Sequence, residues 1–419
     1  MWIFDNIRKN SLNYVTGLLL AIVLICLPAY TEIGKKAFYL LAFLSLIFFI
    51  KNFRDLKQLD PIIKLFFVVI AVNFIWTLFT FYLNDSPGRG SNFVWNRQFF
   101  ILFIPPLYLL FRHVKIPFYL LWSSVVVSVL LAAYVGHQDT LIEGQRARGG
   151  MHPILFGSIM LCEAIYLLVV SFTRDELWIK VLSFCGFVLG VVVVIWSQSR
   201  GVWAAMPVLL ALVSFVFFRK VPVNIKLILF VAITGLVIVL TQHPIVQQKL
   251  NTTFTNIERY QAAEHINDSS RSSSIGTRFE MWKAGWQIFL ENPVLGVGVG
   301  GYDQAAKENA KRYGVNESAY WFYHPHNQYI SALSTKGFIG FILLFAMLVL
   351  PFYLAKSRWQ ENDDEPIVMI AVISLAYMIF SLSDVPLEGK ATIIFYTIAV
   401  AVFVSNLKSK PDSDCAANL

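Results

Sequence analysis

Apolar residues along this chain fall into runs near the ~20 residues that an α-helix needs to cross a hydrocarbon core, separated by short breaks rich in charge, Gly and Pro. The runs lie at 13–30, 36–50, 62–83, 98–111, 116–135, 153–172, 177–196, 202–218, 226–242, 328–355, 366–384 and 390–407. A segment in lipid must satisfy its own backbone groups, so runs of this kind are helices. The pattern predicts an all-α, polytopic integral membrane protein with about 12 transmembrane helices. The first run has signal-peptide length, but no small-residue cleavage site follows it, so it reads as a retained helix.

Between the ninth and tenth runs stands one long polar interruption. This divides the chain into helices 1–9 (residues 1–242), a loop containing helices of its own (243–327), helices 10–12 (328–408) and a short tail (409–419). With the N-terminus in the cytoplasm, the basic pairs Arg8/Lys9, Arg112/Lys115, Arg219/Lys220, Lys356/Arg358 and Lys408/Lys410 all fall on the cytoplasmic side, following the positive-inside bias. Both termini are then cytoplasmic, and the long loop is on the far side.

Composition agrees, with 57% hydrophobic and 14% charged residues, and makes membrane lipid the main solvent. The net charge of +8 is dispersed between the runs, which suits an orientation signal and not a nucleic-acid surface. Cys26, Cys162 and Cys185 sit in apolar runs and Cys415 in the tail, so no disulfide framework is expected.

Short far-side loops should be poor in positive charge, yet they hold Arg89, Arg97, Arg146, Arg148 and Arg200, and the long loop adds Arg278. A planar guanidinium grips phosphate oxygens bidentately, so an arginine excess suggests an anionic, phosphate-bearing ligand. Arg200 lies in Ser197-Gln198-Ser199-Arg200-Gly201, between two apolar runs with almost no loop. A charge there costs up to ~2.5–3.5 kcal/mol at full depth, which an anion in a watery cavity would offset and which snorkelling to headgroups would avoid. Arg146 and Arg148, in Gly144-Gln145-Arg146-Ala147-Arg148-Gly149-Gly150, fit either a ligand site or a solvated loop.

Within the loop, Thr277-Arg278-Phe279-Glu280 fits a capping box and Asn292-Pro293 a stop, predicting a helix over 278–290. Arg278, Trp282 and Trp286 would share one face, suited to a sugar or to a membrane interface. The run Gly296–Tyr302 reads as a turn back toward the membrane. At the loop's end comes Tyr323-His324-Pro325-His326-Asn327. Two histidines at i and i+2 can ligate a metal, but no Cys, Asp or Glu stands beside them, so the pattern favours a neutral imidazole base and neither metal nor cofactor is expected. Gly337 and Gly340 would lie below His326 on one helix face and admit a neighbouring helix. Asp384, at the far-side end of the eleventh run, is placed to orient a histidine, pair with an arginine or sit in a solvated turn.

His326-Asn327, nine residues, then Gly337-Phe338-Ile339-Gly340 resembles the signature of the bacterial O-antigen ligases. Arg200-Gly201, Arg278 and the long loop before the histidine are similar to the same family's layout. The resemblance implies a metal-independent inverting glycosyltransferase of the Gram-negative inner membrane. It would move O-antigen polysaccharide from undecaprenyl diphosphate to a sugar hydroxyl of lipid A-core at the periplasmic face. The resemblance agrees with His326 as general base and Arg200 and Arg278 on the diphosphate; Arg89, Arg146, Arg148, Trp282, His324, Asn327 and Asp384 are further candidates for substrate binding or support. His324 is an alternative base. An O-antigen polymerase of the same superfamily, or a transporter of lipid-linked glycans, shares much of the pattern; the superfamily's protein-modifying transferases usually carry a longer C-terminal extension.

Overall fold

The computed structural model describes residues 2–83, 97–114, 116–142, 145–217, 244–266, 268–359 and 365–407. Arg89, the run 226–242 and the tail 409–419 lie outside the described residues. The rest is helical, with no strand among the described residues.

The membrane part is built from α1 (Trp2–Ala29), α2 (Thr31–Asn52), α3 (Pro61–Tyr82), α4 (Ile104–His113), α5 (Phe118–Thr140), α6 (Pro153–Thr173), α7 (Leu177–Trp196) and α8 (Arg200–Phe217). In the loop are α9 (Pro244–Ala262), α10 (Gly276–Glu291), α11 (Tyr302–Glu308) and α12 (Ala310–Tyr313). The chain returns through α13 (Gln328–Arg358), α14 (Glu365–Phe380) and α15 (Lys390–Ser405). Eight of these helices are long and apolar enough to cross a membrane, and three shorter apolar ones, at 99–113, 365–380 and 390–405, pack with them. The protein is an integral membrane protein; the described helices coincide with eleven of the twelve apolar runs.

Helix α6 is the centre of the bundle, almost wholly buried from Phe156 to Val170. It packs on α7, α14 and α8, and α13 packs on both α3 and α14. A separate small core in the loop joins Met281, Ala284 and Ile288 of α10 to Tyr302, Ala306, Tyr313, Val315 and Ala319. The fully buried Tyr302 donates its hydroxyl to the carbonyls of Met281 and Ala319, each at 2.9 Å, which locks α10 to the two segments that follow it.

Two expectations need correction. The capping box does not form: α10 starts at Gly276, with the Gly276 N–H on Ser273 Oγ at 3.1 Å. Glu280 turns inward and is fully buried, accepting from Tyr260 OH at 2.8 Å, Arg271 Nη1 at 3.2 Å and the Asn316 N–H at 2.9 Å. A buried carboxylate with three donors outcompetes a solvent-exposed cap.

The second concerns Gly337. The helix is broken there, with φ +66° and ψ −169°, so Gly337 and Gly340 do not form one face. The groups freed by the kink are satisfied by neighbours: Phe338 N–H reaches Pro293 O at 2.8 Å, Val297 N–H reaches Ser334 O at 2.9 Å, and Trp76 Nε1 of α3 donates to Lys336 O at 2.9 Å. A Cβ on Gly337 would lie 2.0 Å from Val294 O, so loop backbone, not a helix, lies against it. Gly340 does admit a helix, with Trp76 as its neighbour. The segment 338–358 is by itself of spanning length at ~1.5 Å per residue, leaving 328–336 as an extension that carries the His326 turn.

Candidate active site

Four chain breaks meet at one end of the bundle: the segment before α6, the α7–α8 linker, the turn before α13 and the α14–α15 linker. Their backbones touch through small residues. A Cβ on Gly201 would fall 1.9 Å from Ser383 Oγ, so only glycine lets the start of α8 rest on the α14–α15 linker. The linker is itself held by Gln328, whose N–H reaches Ser381 O at 2.8 Å and Asp384 O at 3.1 Å.

His326 lies immediately before α13, whose first turn is capped by Asn327: its Oδ1 accepts from the Tyr329 and Ile330 amides, and its Nδ2 donates to Leu382 O at 3.1 Å. His326 has φ +48°, a left-handed conformation that side chains seldom adopt outside functional turns. The strain is held by Trp282 Nε1 donating to Pro325 O at 3.0 Å and by the His326 N–H donating to His324 Nδ1 at 3.2 Å. In this orientation His326 Nδ1 lies 3.1 Å from Asp384 Oδ1.

These contacts fix the proton positions. His324 Nδ1 accepts, so its proton is on Nε2; the ring is buried, and burial first, then the charge of His326, push its pKa down to about 3. Burial would raise the Asp384 carboxyl, but the hydrogen bond and charge of His326, then His324 and the Val385 amide, hold it well below the usual carboxylate range. Asp384 is therefore a carboxylate that accepts Nδ1–H of His326, and in the neutral tautomer this bond selects, the lone pair of His326 lies on Nε2. His324, His326 and Asp384 also place one ligand atom each within 4.8 Å of one another, the spacing of a metal triad. The acidic residue sought beside the histidines thus comes from 58 positions away.

Facing this pair is a group of arginines. Arg146 is anchored by three bonds to the α7–α8 linker, from Nε to Ser197 O at 2.8 Å and from Nη2 to Gln198 O at 3.1 Å and Ser199 Oγ at 3.0 Å. Its pKa is lowered by burial and then by the charges of Arg200 and Arg278. Arg200 reaches Thr253 Oγ1 on α9 at 2.6 Å and Ser274 Oγ at 3.1 Å. Arg278 is half-buried and makes no hydrogen bond or ion pair with any described residue; burial lowers its pKa, with Asp384 acting in the opposite direction. Like charges gathered without counter-charges of their own form a site for an anion.

Arg148 does not join: its side chain is exposed, and among the described residues only its backbone is engaged, the N–H donating to Asp139 Oδ2 at 2.8 Å and the carbonyl accepting from the Met151 N–H at 2.9 Å. The expected Trp face of α10 splits in the same way, with Trp282 behind the histidine turn and Trp286 exposed.

Sequence reading missed three contributors. His152, just before α6, senses the charges of Asp384, Arg146, His326 and Arg278; its pKa is lowered, first by burial. Lys249 on α9 is lowered by burial and then by Arg146 and Arg200. Glu388 accepts from Gln328 Nε2 and Ser331 Oγ at 3.0 Å each, while Arg97 joins Glu388 O at 2.8 Å to Tyr323 OH at 2.9 Å, bracing α13 against the Asp384 linker.

Arg200, Arg278 and His326 all fall in one stretch, 185–345. That stretch matches the O-antigen ligase family model. The match bears out, over that stretch, the resemblance read from the sequence. Arg146, His152 and Asp384 lie outside the matched O-antigen ligase segment and reach its residues through the fold. The chain is also 25% identical over 415 residues to an uncharacterized protein of Haemophilus influenzae, covering 95% of this chain and 100% of that one. It is 22% identical over 298 residues to a protein of Escherichia coli K12 named O-antigen ligase, covering 68% of this chain and 66% of the relative.

Proposed function

We propose that this protein is an O-antigen ligase, transferring a glycan from undecaprenyl diphosphate to a sugar hydroxyl of lipid A-core at the periplasmic face of a Gram-negative inner membrane, with both termini cytoplasmic. The observation that carries the reading is the His326–Asp384 pair beside Arg278, which has no hydrogen bond or ion pair with any described residue. One half of the site is a base that keeps a free Nε2; the other is a cationic surface for a diphosphate.

In the proposed step the acceptor hydroxyl oxygen attacks the anomeric carbon of the donor sugar and its proton passes to His326 Nε2. The bond from that carbon to the phosphate oxygen breaks, and its electron pair leaves with undecaprenyl diphosphate. Asp384 steadies the imidazolium. Arg278, with Arg200, Arg146 and Lys249, meets the charge growing on the leaving group. One such cation near 4 Å contributes up to about 4 kcal/mol at an effective dielectric of ~20, before its desolvation cost. A single displacement inverts the anomeric centre. His324, held neutral and with Nδ1 engaged, supports the turn and is not the base in this scheme.

The test is reconstitution of the purified protein with lipid-linked O-antigen and rough lipopolysaccharide, followed on gels. Ligated lipopolysaccharide supports the proposal. Longer lipid-linked chains with untouched lipid A-core would make it a polymerase, and an absence of covalent change would favour transport.

A further inference from the structure

A cavity of about 360 Å³ opens beside the end of α3, between Thr80 and Leu83 and the glycine-rich turn 296–301. Among the described residues its polar lining is Thr80, Asn292, Gln304, Glu308 and Asn309, with no Lys or Arg. Its floor is fixed to α13: the Val297 N–H to Ser334 O and the Phe338 N–H to Pro293 O, at 2.9 and 2.8 Å, pin the turn to the Gly337 kink. His326 stands at the other end of the same helical extension, 8 to 12 residues away from these anchors, about 12–18 Å at 1.5 Å per residue. The separation is thus set by a rigid element.

The order of packing gives the cavity a direction. α8, which begins with Arg200, packs on α14; α14 packs on α13; and α13 packs on α3. The His326–Asp384 pair, at the junction of α13 and the α14–α15 linker, therefore stands in this order of contacts between the helix that begins at Arg200 and the helix that borders the cavity. A displacement needs its leaving group and its nucleophile on opposite sides of the reacting carbon. If the diphosphate occupies the arginine side, the nucleophile arrives from the side of α3.

We propose that this cavity is the acceptor subsite, binding an uncharged sugar of the acceptor oligosaccharide while a more distant hydroxyl of the same glycan reaches His326. The inference rests on the glycosyl-transfer reading above. Side-chain amides and a hydroxyl both donate and accept, as sugar hydroxyls do; Glu308 accepts and repels phosphate; Leu83, Leu295 and Val297 offer apolar surface to sugar C–H faces. The position at the end of a lipid-facing helix suits a glycan whose root is in the membrane.

The experiment measures full-length wild type, Gln304→Ala and Glu308→Ala with lipid-linked donor and rough lipopolysaccharide, each titrated in turn. Losing one hydrogen bond should raise the acceptor KM about five-fold or more, with the donor KM as in the wild type. An unchanged acceptor KM overturns the proposal, as does a rise in the donor KM, which would give the cavity to the donor glycan. Should wild type form no ligated product, the ligase reading fails independently, and saturation-transfer NMR with dephosphorylated core oligosaccharide decides the sugar site. Signals that appear with wild type and weaken with Gln304→Ala sustain it; their absence refutes it.

Discussion

His326 Nδ1 and Asp384 Oδ1 stand 3.1 Å apart although 58 residues separate them in the chain. The contact joins the turn before α13 to the linker after α14, and it sets which nitrogen of His326 carries the proton. A carboxylate in this position keeps Nε2 available for the acceptor hydroxyl. Asp384→Asn should therefore lower kcat by about 10²–10³-fold, with both KM values near wild type. Steady-state kinetics with both substrates checks this; a change in KM alone would make Asp384 a binding residue.

Arg278 is a half-buried guanidinium with no partner among the described residues. Such a charge costs stability and is retained for function. Arg278→Gln should raise the apparent melting temperature in detergent while abolishing transfer. Arg278→Lys should keep the charge, lose the bidentate grip and show a donor KM raised about ten-fold or more. Melting curves and donor titrations test both arms, and a destabilised Arg278→Gln would speak for a structural role.

The spacing of His324, His326 and Asp384 also suits a divalent ion. In the acid–base reading Nδ1 of each histidine is already engaged, on Asp384 and on the His326 N–H. Transfer should then persist after dialysis against a chelator and be unaffected by added divalent ions. Loss of activity that zinc or magnesium restores would replace the base by a metal centre.

His324 has a pH signature of its own. Its pKa of about 3 in the fold lies below the ~6.5 of an unfolded histidine, so between these values the unfolded chain binds more protons. Stability is complete above ~6.5 and falls as pH drops through that window, by on the order of 1 kcal/mol per unit. The melting temperature should decline from pH 7 to pH 5, and His324→Gln should flatten that decline. An equal slope in the variant would place the acid sensitivity elsewhere.

Much of the fold was legible because lipid imposes a simple rule: long apolar runs become helices, and they did wherever the residues are described. The break in α13 was not, because the polar Ser334-Thr335-Lys336 before Gly337 is short enough to be read within one run, and the positive φ of Gly337 is dictated by loop backbone that arrives from Pro293 and Val294. Within the site, Arg200 stood out as a charge between two apolar runs, Arg278 as the cation on the Trp face of a loop helix, and His326 as an imidazole just before an apolar run. Asp384 was visible as an acid at a helix end, but its partner could be known only from the packing of α13 on α14. His152 had no signal: a lone histidine before Pro153 has no periodicity or motif, and its place among Asp384, Arg146 and Arg278 arises from the fold alone. Arg146 and Arg148 looked equivalent two residues apart, and the linker carbonyls chose Arg146.

The most direct measurement is a single-turnover ligation assay with lipid-linked O-antigen and rough lipopolysaccharide, comparing wild type, His326→Gln and His324→Gln at equal, folded concentrations. The account predicts ligated product from wild type and from His324→Gln at a reduced but measurable rate. With His326→Gln it predicts a rate lower than wild type by about 10²–10⁴-fold. Near-wild-type turnover by His326→Gln would contradict it.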